Sequence, residues 1–330
     1  MTVDTNDNRP LTEVAVGIIS GPGGEVLLAQ RPAGKPYAGW WEFPGGKFEP
    51  GETAAQAIAR ELEEELGVSI QESTPWLVRE HTYEHARVRL HFRRIKAFGG
   101  EPESREGQAF GWYDPTNASV SPLLPATVPL MRLLSLPEVY GISSAHLLGQ
   151  TGFLAQLEPV LRDGLRMLQL REPGMPADQF ESLFHAVHAL CRQYGARLLV
   201  NSQHPQSFWA LADGVHLRAA DLAAGFRRED QTGWLTDRHW VAGSCHDAEQ
   251  LEVAARAGAD FAVLGPVQLT ASHPGQAGIG WTGFEHSAGL AQLPVYAIGG
   301  MGSGDLAAAL KSGAHGIAMI RGILSGRESA

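Results

Sequence analysis

Cysteine is nearly missing from this 330-residue chain, which has two, Cys191 and Cys245, in no CxxC pair and no zinc-ligand spacing. A disulfide framework is excluded, a structural zinc site is unsupported, and a reducing cytoplasm is the expected compartment. Long apolar runs are missing as well: nothing approaches the roughly 18 uninterrupted apolar residues of a membrane span. The opening MTVDTNDNRP lacks the basic and apolar regions of an export signal, so neither export nor membrane association is expected. Positive charge is the scarcer sign, with 26 Lys and Arg against 36 Asp and Glu and a formal charge of −10. Such a chain repels a nucleic-acid backbone, and stable nucleic-acid binding is not expected.

What is present is the composition of folded protein, 44% hydrophobic and 19% charged, with Gly and Pro scattered between apolar runs. At roughly 150 residues per domain this length gives about two domains. The rhythm changes near Pro137, which divides the chain into 1–135 and 136–330, and each part carries 13 basic and 18 acidic residues. Neither is a charged tail on a folded partner.

In the first part, Val14 to Ser20 and Glu25 to Gln30 are short β-rich runs joined by Gly21-Pro22-Gly23-Gly24. They predict a hairpin opening a mixed α+β domain. From Thr53 to Leu66 the residues become Ala, Glu, Gln, Arg and Leu, without internal Gly or Pro and with Gly67 following. That predicts a helix with a glycine C-cap. At about 100° per residue Ala55, Ile58, Ala59, Leu62 and Leu66 share one arc, and Glu61, Glu64 and Glu65 the neighbouring one. Like charges at this spacing repel by roughly a few tenths of a kcal/mol per pair unless a cation covers them. Hard oxygen ligands of this kind suit Mg²⁺ or Mn²⁺. On the helix alone, a solvated acidic face accounts for the glutamates equally well.

The flanking residues favour the metal. From Gly46, five residues lead to Glu52 and seven more to Arg60-Glu61-Leu62-Glu63-Glu64-Glu65-Leu66-Gly67-Val68. This fits Gx5Ex7REUxEExGU, with U aliphatic, at every fixed position, and the first part resembles the Nudix hydrolases. The resemblance implies an α+β Nudix fold in which glutamates hold divalent ions on a diphosphate attacked by water. By position, Glu64 and Glu65 would be metal ligands, and a Gly45 or Gly46 carbonyl would add an oxygen. Glu61 would be ligand or general base, Arg60 would orient a neighbouring glutamate, and Glu52 would brace the loop.

Within that family the likeness is closer to the MutT-type 8-oxo-dGTP diphosphatases. It is carried by VAVGII at 14–19, Gln30-Arg31, Trp41-Glu42-Phe43-Pro44-Gly45-Gly46-Lys47, and Arg105-Glu106-Gly107-Gln108 followed by Trp112. It implies nucleotide contacts from Arg31, Glu42, Phe43 and Pro44, and an extra metal carboxylate from Glu106. Plain core packing is the other reading of Phe43, and a solvated loop acid that of Glu106. Two positions depart from the family pattern. Thr127 stands where an asparagine reads the purine, and a hydroxyl lacks an amide's paired donor and acceptor; Pro36 stands where a histidine is expected. Between the box and Glu106, Arg87 to Ile95 alternates Val88, Leu90 and Phe92 against Arg87, Arg89, His91 and Arg93, the period of a half-buried strand. Its basic face is either solvated or placed to steer a triphosphate.

The second part alternates short apolar strands with Ala- and Leu-rich helices. Strands are expected at 139–142, 167–170, 197–200, 214–217, 240–243, 261–264, 295–298 and 316–319, which points to an α/β (β/α)8 TIM barrel. Chemistry in such barrels sits at the carboxyl ends of the strands. Here those ends carry Gln169, Arg171, Asn201, Ser202, His216, Ser244, His246, Gly299 and Gly300. The two glycines, with a helix start near Arg321, have the placement of a phosphate site.

QLRE at 169–172, DGVHL at 213–217, GSCH at 243–246, LGPV at 264–267 and AIGGM at 297–301 resemble the thiamine phosphate synthase and TenI family. The synthase pattern is broken where Pro173 and His273 replace lysines and Ser202 replaces a metal-binding aspartate, leaving Asp221. Losing that charge removes most of what would stabilise a departing pyrophosphate. In the tautomerase relatives a histidine shuttles a proton, and His246 falls on its position. The expected protein is a cytoplasmic Mg²⁺- or Mn²⁺-dependent hydrolase of a nucleoside triphosphate, with 8-oxo-dGTP foremost, fused to a barrel. The barrel either isomerises a thiazole phosphate or binds a thiazole or thiamine phosphate as a sensor; self-association is left open.

Overall fold

The structure, a computed structural model, describes residues 9–269, 278–320 and 322. Chain contacts divide it into two units, Met1–Leu136 and Pro137–Ala330. The first unit runs β1 (Leu11–Ile19), β2 (Val26–Gln30), β3 (Trp41–Glu42), β4 (Gly45–Lys47), α1 (Ala54–Leu66), β5 (Ser69–Thr82), β6 (Arg87–Gly99), β7 (Phe110–Tyr113) and α2 (Val128–Leu134). One sheet has the order β4-β1-β6-β5, with β1 parallel to β6, and a second has the order β3-β2-β7.

The expected hairpin is not a ladder. β1 and β2 share only the isolated bridge Ser20 to Val26 and then part into different sheets. Pairing elsewhere decides this: β6 takes the full length of β1 and β4 its other edge, while β3 and β7 hold β2.

α1 starts and stops where its sequence says. Thr53 and Gln56 form a reciprocal capping box, and Gly67 closes the helix at φ 69°, a left-handed conformation that suits glycine. Its inner side is Ala57, Ile58, Leu62 and Leu66, buried with Ala15, Ile19 and Leu27. Ala55, expected inside, is exposed, and Ala57 is buried instead because α1 lies against β4 and β5 as well as β1. The helix therefore presents Glu61 and Glu65 at the edge of the sheet, beside β4.

In the second unit eight parallel strands close a barrel: β8 (Val139–Ile142), β9 (Met167–Leu170), β10 (Arg197–Asn201), β11 (Gly214–Leu217), β12 (Trp240–Cys245), β13 (Phe261–Leu264), β14 (Val295–Ile298) and β15 (Gly316–Met319). β15 pairs with β8, so no edge is left. The strands are mostly apolar on both faces, as a parallel sheet covered outside by helices and filled inside requires, with polar residues toward their carboxyl ends. Inside, the rings of Tyr140, Phe261 and Tyr296 meet at centroid distances of 5.3 to 5.9 Å. Each of the first seven strands is followed by a helix, including α3 (Ala145–Arg162) after β8 and α4 (Ala177–Gln193) after β9. Thr270, Ser272, His273 and the helix start near Arg321 lie outside the described residues. Among the described residues no helix is long and apolar enough to cross a membrane.

Candidate active sites

In the first unit a cavity of about 550 Å³ opens between the sheets. One wall is Gly45, Gly46, Glu61, Glu65 and Glu106; Val14, Val16, Val88, Leu90 and Phe92 line the cavity from β1 and β6; Tyr37, Tyr83, His85 and Thr127 line it farther along. The Gly45 N–H donates to Glu65 Oε2 at 3.2 Å. Gly46 leaves the space that Glu61 fills, since a Cβ there would lie 2.1 Å from the Glu61 carboxyl carbon. Arg60 donates to both Glu52 oxygens (2.9 and 3.0 Å), to Glu61 (2.9 Å), to Glu64 (3.2 Å) and to the Lys47 carbonyl (3.0 Å). It ties the loop before the helix to the helix itself. Glu52 also accepts the Glu49 N–H, and the Arg60 bond together with this one pulls its carboxyl down to about 2.

The wall is short of positive charge. Burial, reinforced by Glu61 and Glu106, pushes the Glu65 carboxyl up to about 8, and burial raises Glu61 despite Arg60. Three carboxylates lining one cavity form a hard-oxygen donor set, and their mutual repulsion is what a divalent cation relieves. The residues fit Mg²⁺ or Mn²⁺. Glu64 stands apart: it is absent from the cavity wall, its side chain is 58% exposed, and it is held by Arg60. Glu106 reaches Lys35 at 3.3 Å. Among the described residues no three His, Cys, Asp or Glu side chains close into a metal cage.

Glu106 comes from a distant loop whose placement depends on Gln108. The Gln108 amide donates to the Glu65 carbonyl at 2.9 Å, and its oxygen accepts the Glu106 N–H at 3.0 Å. Arg105 N–H and Glu103 N–H bind the Glu65 and Leu66 carbonyls at the end of α1. Arg31 is clamped by Glu42 and by the Pro36 carbonyl, and burial raises Glu42 against the pull of Arg31. Phe43 is buried but faces the cavity, as do Pro44 and Thr127. The basic face of β6 does not face this cavity: Arg87 and Arg89 pair with Glu80, Arg89 and His91 with Glu13, and Arg93 with Ser73. It is the apolar face, Val88, Leu90 and Phe92, that faces the nucleotide-sized space. Lys35, Tyr37 and Tyr83, which also line the cavity, escaped the sequence reading because no fixed spacing marks them.

In the barrel two groups of polar side chains are hydrogen-bonded among the strands. Asn201 donates to Gln169 at 2.8 Å, the Tyr140 hydroxyl meets His216 Nδ1 at 3.0 Å, and His216 Nε2 meets Ser244 at 2.9 Å. Burial pushes His216 down to about 3, so the imidazole is neutral. His246 Nδ1 lies 2.8 Å from the Gly265 carbonyl. A carbonyl only accepts, so Nδ1 carries the proton and Nε2 is left as an exposed base. Gly299 and Gly300 have φ of 102° and 73°, and a Cβ on Gly299 would sit 2.6 Å from Pro266 Cα. Only glycine allows this close strand-to-loop turn. Arg171 is exposed beyond β9. Asp221 receives two bonds from the Arg218 guanidinium, at 2.9 and 2.7 Å, one from the Arg218 N–H at 3.1 Å, and one from the Ser202 hydroxyl. Burial opposes its charge, but Arg218 and Ser202 outweigh burial and hold its carboxyl below the usual range. An arginine thus satisfies the carboxylate that a metal would need.

Two family models match the chain, a NUDIX domain over residues 15–133 and thiamine monophosphate synthase over residues 139–323. The chain belongs to the thiamine monophosphate synthase and TenI family through its barrel and to the Nudix family through its first unit, a fusion of the two. The first unit is 42% identical to a CTP pyrophosphohydrolase of Escherichia coli over 37% of this chain and 90% of that protein. It is 34% identical to the 8-oxo-dGTP diphosphatase of the same organism, over 37% and 95%. The barrel is 31% identical to a thiamine-phosphate synthase of Thioalkalivibrio sulfidiphilus, over 52% of this chain and 80% of that protein.

Proposed function

We propose that the first unit is a Mg²⁺- or Mn²⁺-dependent pyrophosphohydrolase of nucleoside triphosphates, releasing the monophosphate and pyrophosphate, with 8-oxo-dGTP the first substrate to test. The observation that carries this is the joining of Glu61, Glu65 and Glu106 with Gly45 and Gly46 on one wall of a cavity otherwise lined by apolar and aromatic groups. Divalent metal on such a wall neutralises the attacking and leaving oxygens of an in-line displacement. Arg60 holds Glu61 in place, Gly45 holds Glu65, and Gln108 fixes the Glu106 loop. The base end of the substrate would lie against Phe43, Val88 and Leu90, with the Thr127 hydroxyl as a reader.

Thr127 and the higher identity to the CTP pyrophosphohydrolase favour a second reading, in which the preferred base is a pyrimidine. A turnover screen of oxidised and ordinary triphosphates with Mg²⁺, repeated with Glu65→Gln, separates these readings. We expect Glu65→Gln to lose about a hundredfold or more in kcat; full activity in that variant, or no turnover of any substrate by the parent, would refute the assignment. For the barrel we propose a thiazole-phosphate-type ligand, its phosphate at Gly299 and Gly300 and its reacting carbon near His246 Nε2. Proton exchange into a thiazole phosphate in deuterated water, lost in His246→Ala, is the expected result for a tautomerase. Binding without exchange in either form identifies a sensor.

A further inference from the structure

Among the cavity's cations, Arg31 is consumed by Glu42 and the Pro36 carbonyl. Lys35 is held differently. It projects from the loop between β2 and β3, where Gly34 and Gly39 turn the chain at φ 86° and 84°, and its ammonium has one partner, Glu106 Oε2 at 3.3 Å. Both side chains are about half exposed, 50% and 41%. A pair of this kind is worth about 0–1 kcal/mol and is readily exchanged. Its position is less ordinary than its strength: Lys35 lines the same cavity as Glu42, Glu61, Glu65 and Glu106. It is a mobile cation of a cavity that Lys47 of β4 also lines, and it is held to the one carboxylate of the acidic wall which comes from another loop. The Glu106 backbone is fixed by Gln108, so the Glu106 side chain can leave Lys35 without moving its loop.

The geometry points to Lys35 as a phosphate-binding side chain held in reserve by Glu106: when divalent metal takes the Glu106 carboxylate, the released ammonium engages the polyphosphate of the substrate. The inference rests on the proposed hydrolase reading. It places a cation one residue from Pro36, on the loop between β2 and β3. A lysine suits the task, because a flexible point charge can follow a phosphate from one side of the cavity to the other.

The test uses the full chain with Lys35→Ala and Lys35→Arg. Mn²⁺ titration without nucleotide, read by electron paramagnetic resonance, should show about two- to fivefold tighter binding in Lys35→Ala at low salt, since Glu106 loses its competitor. With the best substrate of the screen, Lys35→Ala should raise KM about tenfold, the worth of one charge-assisted hydrogen bond, with kcat within about threefold of the parent. Lys35→Arg should restore KM. Unchanged Mn²⁺ affinity together with unchanged KM overturns the inference, and so does a fall in kcat at constant KM. If the parent turns over no nucleotide, the hydrolase reading fails by itself, and the Mn²⁺ titration still decides whether Lys35 restrains Glu106.

Discussion

Gly46 shows how a residue without a side chain can decide chemistry. Its missing Cβ is the space occupied by the Glu61 carboxylate, at 2.1 Å from where that carbon would lie. Gly46→Ala therefore meets the movable end of a side chain rather than backbone, and the fold can absorb it. The expected outcome is a displaced Glu61 with kcat reduced about a hundredfold, as a misplacement of about an ångström in a reacting constellation costs. Thermal unfolding should change by less than about 0.5 kcal/mol, as for a substitution outside the core. Gly45 differs, because there a Cβ would strike the Ala15 carbonyl at 2.1 Å, so the neighbouring strand itself would have to shift. His246 makes a related point in the barrel: one bond to the Gly265 carbonyl orients the ring through Nδ1 and leaves Nε2 outside that bond.

At the scale of elements, α1 connects stability to the site. Its C-cap Gly67 lies at φ 69°, and a Cβ there would stand 2.7 Å from the Arg105 side chain, which reaches back to the Glu63 carbonyl at 3.0 Å. Gly67→Ala should cost about 1 kcal/mol or more in denaturant unfolding from the left-handed strain. It should also weaken metal affinity, because displacing Arg105 loosens the loop that brings Glu106 to Glu65. Loss of stability with metal affinity intact would show that the loop is held by Gln108 alone. The helix was legible in the sequence to within a residue, since its caps and its lack of internal Gly and Pro are local signals. The partners of β1 were not, because a glycine-rich turn marks where the chain reverses and not which edge wins the ladder. Likewise the alternation in β6 revealed two faces, but the identity of the cavity face depended on where β1, α1 and the 31–40 loop came to rest.

At the scale of the whole molecule, the barrel carries buried imidazoles that set its response to acid. Burial pushes His216 to about 3 and His204 to about 4, against an ordinary value of 6.5. Below about pH 6.5 the unfolded chain takes up protons that the folded chain refuses, so these groups stabilise the fold above that pH and the contribution drains away as pH falls toward their folded values. For His216 the slope approaches about 1.4 kcal/mol per pH unit. Urea unfolding of the barrel between pH 7 and about 4.5 should show this fall, and His216→Asn should be less stable at pH 7 but flatter with pH. An equal slope in the variant would mean that His216 does not titrate on unfolding.

The sequence by itself determined the two-part organisation, the eight barrel strands nearly residue by residue, α1 with both its caps, and the spacing that puts glutamates beside a glycine loop. These rest on local chemistry: periodicity, capping, and residue types at fixed separations. Tertiary structure alone decided which glutamates share a wall. Glu61, Glu65 and Glu106 line one cavity, while Glu64, equally prominent in the motif and also bonded by Arg60, lies outside it. It also decided that Lys35 faces that wall and that a polar chain runs from Tyr140 through His216 to Ser244. These last contacts join groups 28 to 76 positions apart at hydrogen-bond distance. That proximity is bought by the burial of two separate cores, and no short window of sequence contains it.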